Sequence, residues 1–370
     1  RRDELEAAKK LPLGTLPQPR IAQQGCISAK SAGFLCDYAL KFLAENGLSR
    51  NTVLRGGYII RTTLDPEVQR STVAALQAYA APQADGVAQV SSVIRPGRNS
   101  HAIVAMGSSR NYGLRLKAGE TVQPQPFSLI GDGAGSVFKV FTTAAALEKG
   151  LGTNAMIPVP ATLQVTGMGN SGGVNGCPPM YYCVKNDGKY PAMMSLTNAL
   201  AQSPNTAFVK LLQRTGVKPT VDMAVRLGLR SYTIPGSSGF GDKSIATYVK
   251  EGNLGSFTLG PFPVNGLELS NVAATLASGG VWCPPNPIAS ITKIKRDRYG
   301  NVIIGPDGKP AQAPVPVAVP KCEQVVDRGL ANAMAHLLSK DDVGAGTAAA
   351  AARGAGWSLP LSSKTGTTEA

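Results

Sequence analysis

Three short groups of residues in this sequence carry chemistry: Ser136-Val-Phe-Lys139, Ser203-Pro-Asn205 and Lys364-Thr-Gly-Thr367. A serine attacks a carbonyl when a base takes its proton and donors hold the oxyanion that forms. His101 and His336 are the only histidines, so a histidine triad is hard to build. A lysine three residues beyond a serine is the alternative base, because positions i and i+3 share a helix face. Ser136 and Lys139 have that spacing. The run from Gly131 to Gly135 precedes them with small residues that let backbone approach a ligand closely. Val137, Phe138, Val140 and Phe141 then lead into an apolar helix, which puts the serine at a helix N-terminus, where the dipole favours developing negative charge. The plainer reading is a glycine loop with Ser136 as helix cap.

The same spacing recurs at Ser290-Ile-Thr-Lys293, inside a stretch with strand character. In a strand, i and i+3 point to opposite faces, so that pair cannot cooperate. Ser203-Pro204-Asn205 is a polar break between two helix-like stretches, 193–202 and 206–215. There a hydroxyl can pass a proton and an amide can hold a substrate carbonyl. Ser-x-Asn also occurs at Ser49–Asn51 and Ser109–Asn111, so alone it says little. Lys364-Thr-Gly-Thr367 discriminates most: on an accessible strand Gly366 lets a substrate backbone pair alongside, and Lys364 offers a cation to a carboxylate.

The elements that must position these groups read as α+β. Residues 3–10 have the composition of a short helix ended by Pro12, and 12–30 read as linker. A helix is expected at 33–48, with Phe34, Leu35, Tyr38, Ala39 and Phe42 on one side, then a strand at Tyr58–Thr63. Asp65 and Pro66 open the next helix as N-cap and first residue. Val87–Ile94 and Ala102–Met106 flank Pro96-Gly97 as a hairpin. A helix-rich middle follows, interrupted by a Gly/Asn/Pro-rich excursion at 166–180. Strand character returns at Val281–Ile304, Pro306-Asp-Gly308 turns, 309–320 is a proline-rich loop, and a helix near 326–339 precedes a strand at Ser362–Thr368.

Composition narrows the class. The chain has 370 residues, 43% hydrophobic and only 6% aromatic, which suits a packed core and no base- or sugar-stacking platform. The net charge of +14 suits either an anionic surface or substrate, or simply a solvated basic exterior. No dense Lys/Arg block or nucleic-acid module is present, which argues against nucleic acid. The six cysteines fall into local pairs, Cys26 with Cys36, Cys177 with Cys183, and Cys283 with Cys322, none of them Cys-x-x-Cys. With two histidines as companions they do not make a zinc site, and no metal or other cofactor is called for. Disulfides in an oxidising compartment are the favoured reading, buried thiols the alternative.

The order of the three groups matches the Ser-x-x-Lys, Ser-x-Asn, Lys-Thr-Gly set of penicillin-binding proteins and serine β-lactamases. The sequence resembles the transpeptidase region of class A, bifunctional penicillin-binding proteins of actinobacteria such as mycobacteria. Arg2–Gly14 looks like the tail of a glycosyltransferase domain, and Arg61–Gln69 like the motif entering the transpeptidase domain. Val264–Gly280 looks like the helix before the second strand group, and Gly346-Thr-Ala348 like the element upstream of Lys-Thr-Gly. The resemblance implies a transpeptidase fold with a central antiparallel sheet flanked by helices and a small N-terminal linker region. It divides the chain into 1–85, glycosyltransferase tail and interdomain linker, and 86–370, the transpeptidase domain.

It further implies that Ser136 is the acylated nucleophile and Lys139 its base. Ser203 and Lys364 would relay a proton to the leaving D-alanine, and Asn205 would hold the substrate amide. Thr365 and Thr367 would bind the terminal carboxylate beside Gly366, and the backbone N–H groups of Ser136 and Thr367 would form the oxyanion hole. The implied partners are peptidoglycan stem peptides, β-lactam antibiotics and, through an N-terminal anchor outside this sequence, the extracytoplasmic face of the cell membrane. Relatives carry proline at the positions of Ala134 or Val140 and continue past Lys-Thr-Gly with further strands of the same sheet; without these the Lys364 strand would be an exposed edge, and the remaining segment is expected in the parent protein. A β-lactamase, a D,D-carboxypeptidase and a non-catalytic β-lactam sensor are the competing readings. The Glu-x-x-Leu-Asn string of class A β-lactamases is not present.

Overall fold

A computed structural model of the chain describes residues 2–10, 25–131, 133–169 and 174–368. Pro12, the expected linker up to residue 24, Asp132 and part of the 166–180 excursion lie outside the described residues. Arg2–Lys10 is a helix (α1), acidic in its first turn and basic in its last, which complements the helix dipole. Gly33–Glu45 (α2) buries Phe34, Leu35, Ala39, Phe42 and Leu43. A further short helix, Arg50–Arg55 (α3), has no apolar period to announce it and is capped by Ser49. Strand Tyr58–Thr62 (β1) and helix Pro66–Tyr79 (α4) stand where the sequence puts them. Asp65 Oδ1 accepts the N–H groups of Glu67 at 3.0 Å and Val68 at 3.3 Å, two donors a helix start otherwise leaves unpaired.

Val90–Arg95 (β2) and His101–Ser108 (β3) form the antiparallel hairpin around Pro96-Gly97, and Pro285–Asn286 joins the far side of β3 in parallel. Among the described residues this sheet has three strands, with β2 at its outer edge. β1 belongs to a second sheet: it pairs with Ile288–Ile294, which pairs in turn with Gln312–Pro314. The proline-rich loop thus contains a short edge strand, which can accept Pro314 because an edge N–H is not needed. Ser290 lies opposite Arg61 and Lys293 opposite Tyr58, so the second Ser-x-x-Lys is indeed strand surface. All three cysteine pairs are disulfides: Cys26–Cys36, Cys177–Cys183 and Cys283–Cys322.

The main core is helical. Lys139–Glu148 (α5) packs against Leu196–Gln202 (α6), Asn205–Thr215 (α7), Val217–Leu227 (α8) and Arg328–Leu338 (α11), with Ile245–Gly252 (α9) on α8 and Gly266–Ala277 (α10) on α8 and α11. Every residue of α5 from Lys139 to Ala146 is buried, as expected of a helix with no polar face. His101 is structural: buried, it bonds Asn271 Oδ1 at 2.7 Å through Nδ1 and Ser278 Oγ at 3.0 Å through Nε2, tying β3 to α10. A smaller core of Phe34, Leu35, Ile103, Met106, Phe127 and Leu267 joins α2 to the hairpin.

Glu268, on α10, is a stability liability. It accepts Ser231 N–H at 2.9 Å and Ser231 Oγ–H at 2.6 Å, yet burial pushes its carboxyl up to about 7. The folded state therefore holds a proton that the unfolded chain releases near 4.5, so stability declines as pH rises through 4.5–7. Glu268→Gln should remove that decline. Its thermal midpoint should match wild type near pH 4.5 and exceed it at pH 8 by a few degrees, for roughly 2 kcal/mol. An equal gap at both pH values would contradict this.

The strand expected at Ser362–Thr368 is not formed; residues 360–368 have no regular secondary structure. A strand needs a laddered neighbour, and this segment's bonds go elsewhere, from Ser363 N–H to Leu338 O at 3.1 Å and from Thr365 N–H to Asp341 Oδ2 at 3.2 Å. Between it and β2 lies a cavity of about 470 Å³ lined by Val140, Phe141, Leu269, Val272 and Leu276, so β2 is out of pairing range.

Candidate active site

Ser136 lies in a single 3₁₀ turn, Gly135–Phe138, that runs directly into α5. Lys139 opens α5, with its side chain fully buried. Its Nζ donates to Ser203 O at 2.6 Å, Ser203 Oγ at 3.0 Å and Asn205 Oδ1 at 2.8 Å, and lies 5.4 Å from the Phe208 ring centroid. It makes no hydrogen bond to Ser136. Burial holds the Lys139 ammonium well below its ordinary range, with Lys364 pressing the same way and Asp187 opposing. A lysine whose ammonium is disfavoured gives up its proton more readily and can then act as a base.

The break between α6 and α7 shapes the second group. Ser203 ends α6 in a left-handed conformation, φ +62°, ψ +36°, its N–H bonded to Ala199 O at 2.8 Å, and Pro204 turns the chain into α7. That corner turns both Ser203 O and Ser203 Oγ onto Lys139. Asn205 spans the site: its carbonyl takes Lys139, while Nδ2 donates to Lys185 O at 3.3 Å and lies 3.5 Å from Asp187 Oδ2. Asp187 follows the strand Tyr181–Lys185, whose hairpin closes the Cys177–Cys183 disulfide.

The third group reaches Ser136 through glycines. A Cβ on Gly366 would fall on Ala134 O and lie 2.9 Å from Val137 Cγ2, and one on Gly135 would fall on the backbone of Thr367. Gly135 also has φ +56° and donates its N–H to Gly260 O at 3.2 Å. These glycines let two backbones touch, Ala134–Gly135 against Gly366–Thr367, rather than holding open a space for ligand. Lys364 Nζ donates to Thr365 O at 2.9 Å; burial lowers its ammonium to about 8, with Asp341 opposing. Ser136, Lys139, Ser203, Asn205 and the segment from Lys364 to Thr367 thus converge from three stretches of chain. Among the described residues no His/Cys/Asp/Glu group could hold a metal ion.

A serine one turn from a buried lysine, a left-handed serine over that lysine, and a Lys-Thr-Gly segment against the first serine's backbone are the parts from which an acyl-transfer site can be built. The penicillin binding protein transpeptidase domain, as a sequence family, matches residues 100–370, which include every one of these side chains. The chain belongs to the penicillin-binding protein transpeptidase family. Among this family's curated members, peptidoglycan D,D-transpeptidase PbpA of Mycobacterium tuberculosis is 29% identical over 260 residues, covering 64% of this chain and 49% of that protein. Penicillin-binding protein 1A of the same species is 25% identical over 252 residues, 66% of this chain and 26% of that one. The chain thus spans about half the length of the former and a quarter of the latter. The solved structure of the M. tuberculosis penicillin-binding protein PonA1 superposes with a TM-score of 0.58 at 20% identity, covering 84% of this chain and 70% of that one. M. tuberculosis penicillin-binding protein A, as its ceftriaxone acyl-enzyme complex, superposes at 0.54 and 22% identity, covering 78% and 64%. The penicillin-binding transpeptidase fold is therefore that of this chain, realised with a mixed rather than purely antiparallel central sheet.

Two residues beside this candidate site have no local signature. Asp187 and Asp341 are single carboxylates far along the chain from Ser136, and only the fold brings them to the lysines. A hint lay in Thr347 of the Gly346-Thr-Ala348 element, whose Oγ1 donates to Asp341 Oδ1 at 2.5 Å.

Proposed function

We propose that this domain is a peptidoglycan D,D-transpeptidase that crosslinks cell wall outside the cytoplasm through an acyl-enzyme on Ser136. The observation that carries this reading is Lys139, wholly buried, deprotonation-prone and bonded to both Ser203 and Asn205 one helical turn from Ser136. Losing one proton leaves Lys139 two of its three bonds and a lone pair that turns to Ser136 Oγ. Ser136 Oγ then attacks the penultimate D-alanine carbonyl of a stem peptide while its proton passes to Lys139. The N–H groups of Ser136 and Thr367 receive the oxyanion. Collapse expels D-alanine, whose nitrogen takes a proton from Ser203 Oγ, replenished by the lysines on either side. Asn205 holds the substrate amide, and Thr365, Gly366 and Thr367 hold its carboxylate against Lys364. An amine of a neighbouring stem then takes the acyl group. A β-lactam follows the first half of this path and stays on Ser136.

The three disulfides support an oxidising location, and we place the whole protein at the extracytoplasmic face of the membrane. No described helix is long and apolar enough to cross a membrane. Within that whole protein, residues 1–85 are assigned to the glycosyltransferase tail and linker of a class A enzyme, and no glycosyltransferase activity to this chain. Fluorescent penicillin tests the reading: it should leave a long-lived adduct on the wild type and none on Ser136→Ala. Rapid turnover of the adduct would indicate a β-lactamase, and no adduct at all would refute acyl-enzyme chemistry here.

A further inference from the structure

We propose that Asp341 is a positioning residue, which braces the Lys364–Thr367 segment against the Ser203 corner and supplies the carboxylate that acts on the Lys364 ammonium. The proposal rests on the transpeptidase reading above. Asp341 follows α11 and is 1% exposed. Both of its oxygens are engaged: Oδ1 accepts Thr347 Oγ1 at 2.5 Å, and Oδ2 accepts Thr365 N–H and Ser363 Oγ, each at 3.2 Å. These are bonds to the residues on either side of Lys364. Its own carbonyl accepts Ala348 N–H at 2.9 Å.

Thr347 carries the brace onward. Its N–H donates to Ala201 O at 3.0 Å, in the last turn of α6, two residues before Ser203, and its hydroxyl also meets that of Thr365. A continuous path therefore runs from the Ser203 corner through Thr347 and Asp341 to Lys364, in a segment that no sheet ladder supports. A buried carboxylate with both Oδ2 bonds directed at that segment and its Oδ1 bond at Thr347 fixes the segment more firmly than the links it otherwise has, Ser363 N–H to Leu338 O and Ser362 Oγ to Ala335 O. Of the charged groups around Lys364, Lys139 on α5 is the like charge and Asp341 the opposite one, while Asp187 acts on Lys139. Asp341 thus sets both where Lys364 stands and how long it stays protonated as pH rises.

Two variants separate the roles. Asp341→Asn keeps the shape and removes the charge. With the lysines carried as ¹³C-dimethyl derivatives and Lys364 assigned by Lys364→Arg, its resonance should titrate roughly one pH unit lower in Asp341→Asn than in wild type. The alkaline limb of penicillin acylation on unmodified protein should move down by the same amount. Thr347→Val keeps the backbone bond to Ala201 O but removes the hydroxyl that joins Asp341 and Thr365, so it cuts the path there and keeps the charge; it should lower the acylation rate about tenfold and leave the Lys364 titration in place. An unshifted Lys364 titration in Asp341→Asn overturns the electrostatic part, and a wild-type acylation rate in Thr347→Val overturns the brace, whether or not Asp341→Asn folds. A wild type that titrates normally but takes no penicillin strikes the transpeptidase reading and leaves the Lys364–Asp341 coupling standing.

Discussion

Lys139→Met should lower the penicillin acylation rate by about 10³-fold while raising the protein's thermal midpoint at pH 7. The loss follows from removing the only base positioned one helical turn from Ser136. The gain follows from the environment. The Lys139 side chain is packed in the helical core beside Phe208, where an ammonium is poorly solvated and an unbranched apolar chain of similar length fits. The sign with pH is fixed by linkage. The folded-state ammonium titrates well below 10.5 and the unfolded one near 10.5, so between those values the unfolded chain binds more protons and stability rises with pH. The penalty is fully present below the folded value and gone above 10.5. The advantage of Lys139→Met should therefore be largest at neutral and acid pH and shrink toward pH 10.5. A variant that acylates at the wild-type rate, or whose midpoint is lower across that range, would show that Lys139 is neither base nor burden.

Gly366→Ala should cost about a hundredfold in acylation, through displacement alone. The added methyl lands on Ala134 O, a backbone atom that cannot swing aside, and presses on the β-branched Val137 side chain. The segment must back away from Gly135 and Ser136, carrying Thr365, Thr367 and Lys364 with it. An angstrom of such movement is enough for that loss, because oxyanion and carboxylate donors act only at hydrogen-bond range. Gly329→Ala is the matched control: that glycine lies in α11 with nothing near its Cβ position, so alanine there should stabilise slightly and leave acylation alone. Equal acylation in the two variants would mean that the Gly366 contact does not position the site.

Much of this arrangement is legible in sequence because it is local. The Asp65 cap, the Pro96-Gly97 hairpin, the Cys26–Cys36 and Cys177–Cys183 pairs and the Ser203 break each follow from nearby residues, and the structure has all of them. The order of Ser136, Ser203 and Lys364 also points to the fold. What escaped needed distant partners. A β-rich string at Ser362–Thr368 reads as a strand, but pairing depends on a neighbour that composition does not reveal. Gly135 and Gly366 are plainly glycines for close approach, yet the thing approached is each other's backbone. Asp187 and Asp341 are isolated carboxylates whose meaning comes only from the lysines beside them. The pairing of β1 with Ile288–Ile294 likewise joins segments over two hundred positions apart, which no periodicity records.

The Cys283–Cys322 bond has a practical result at the bench. Between its two cysteines the chain runs out through an exposed stretch that includes Lys295, Arg296 and Arg298, all open to trypsin. A cut there separates the peptide bearing Ser136 from the peptide bearing Lys364, but the sulfur bridge and the shared helical core keep the two together. Nicked protein labelled with fluorescent penicillin should run as one intact band without thiol. With thiol it should split, the fluorescence travelling with the larger, N-terminal piece.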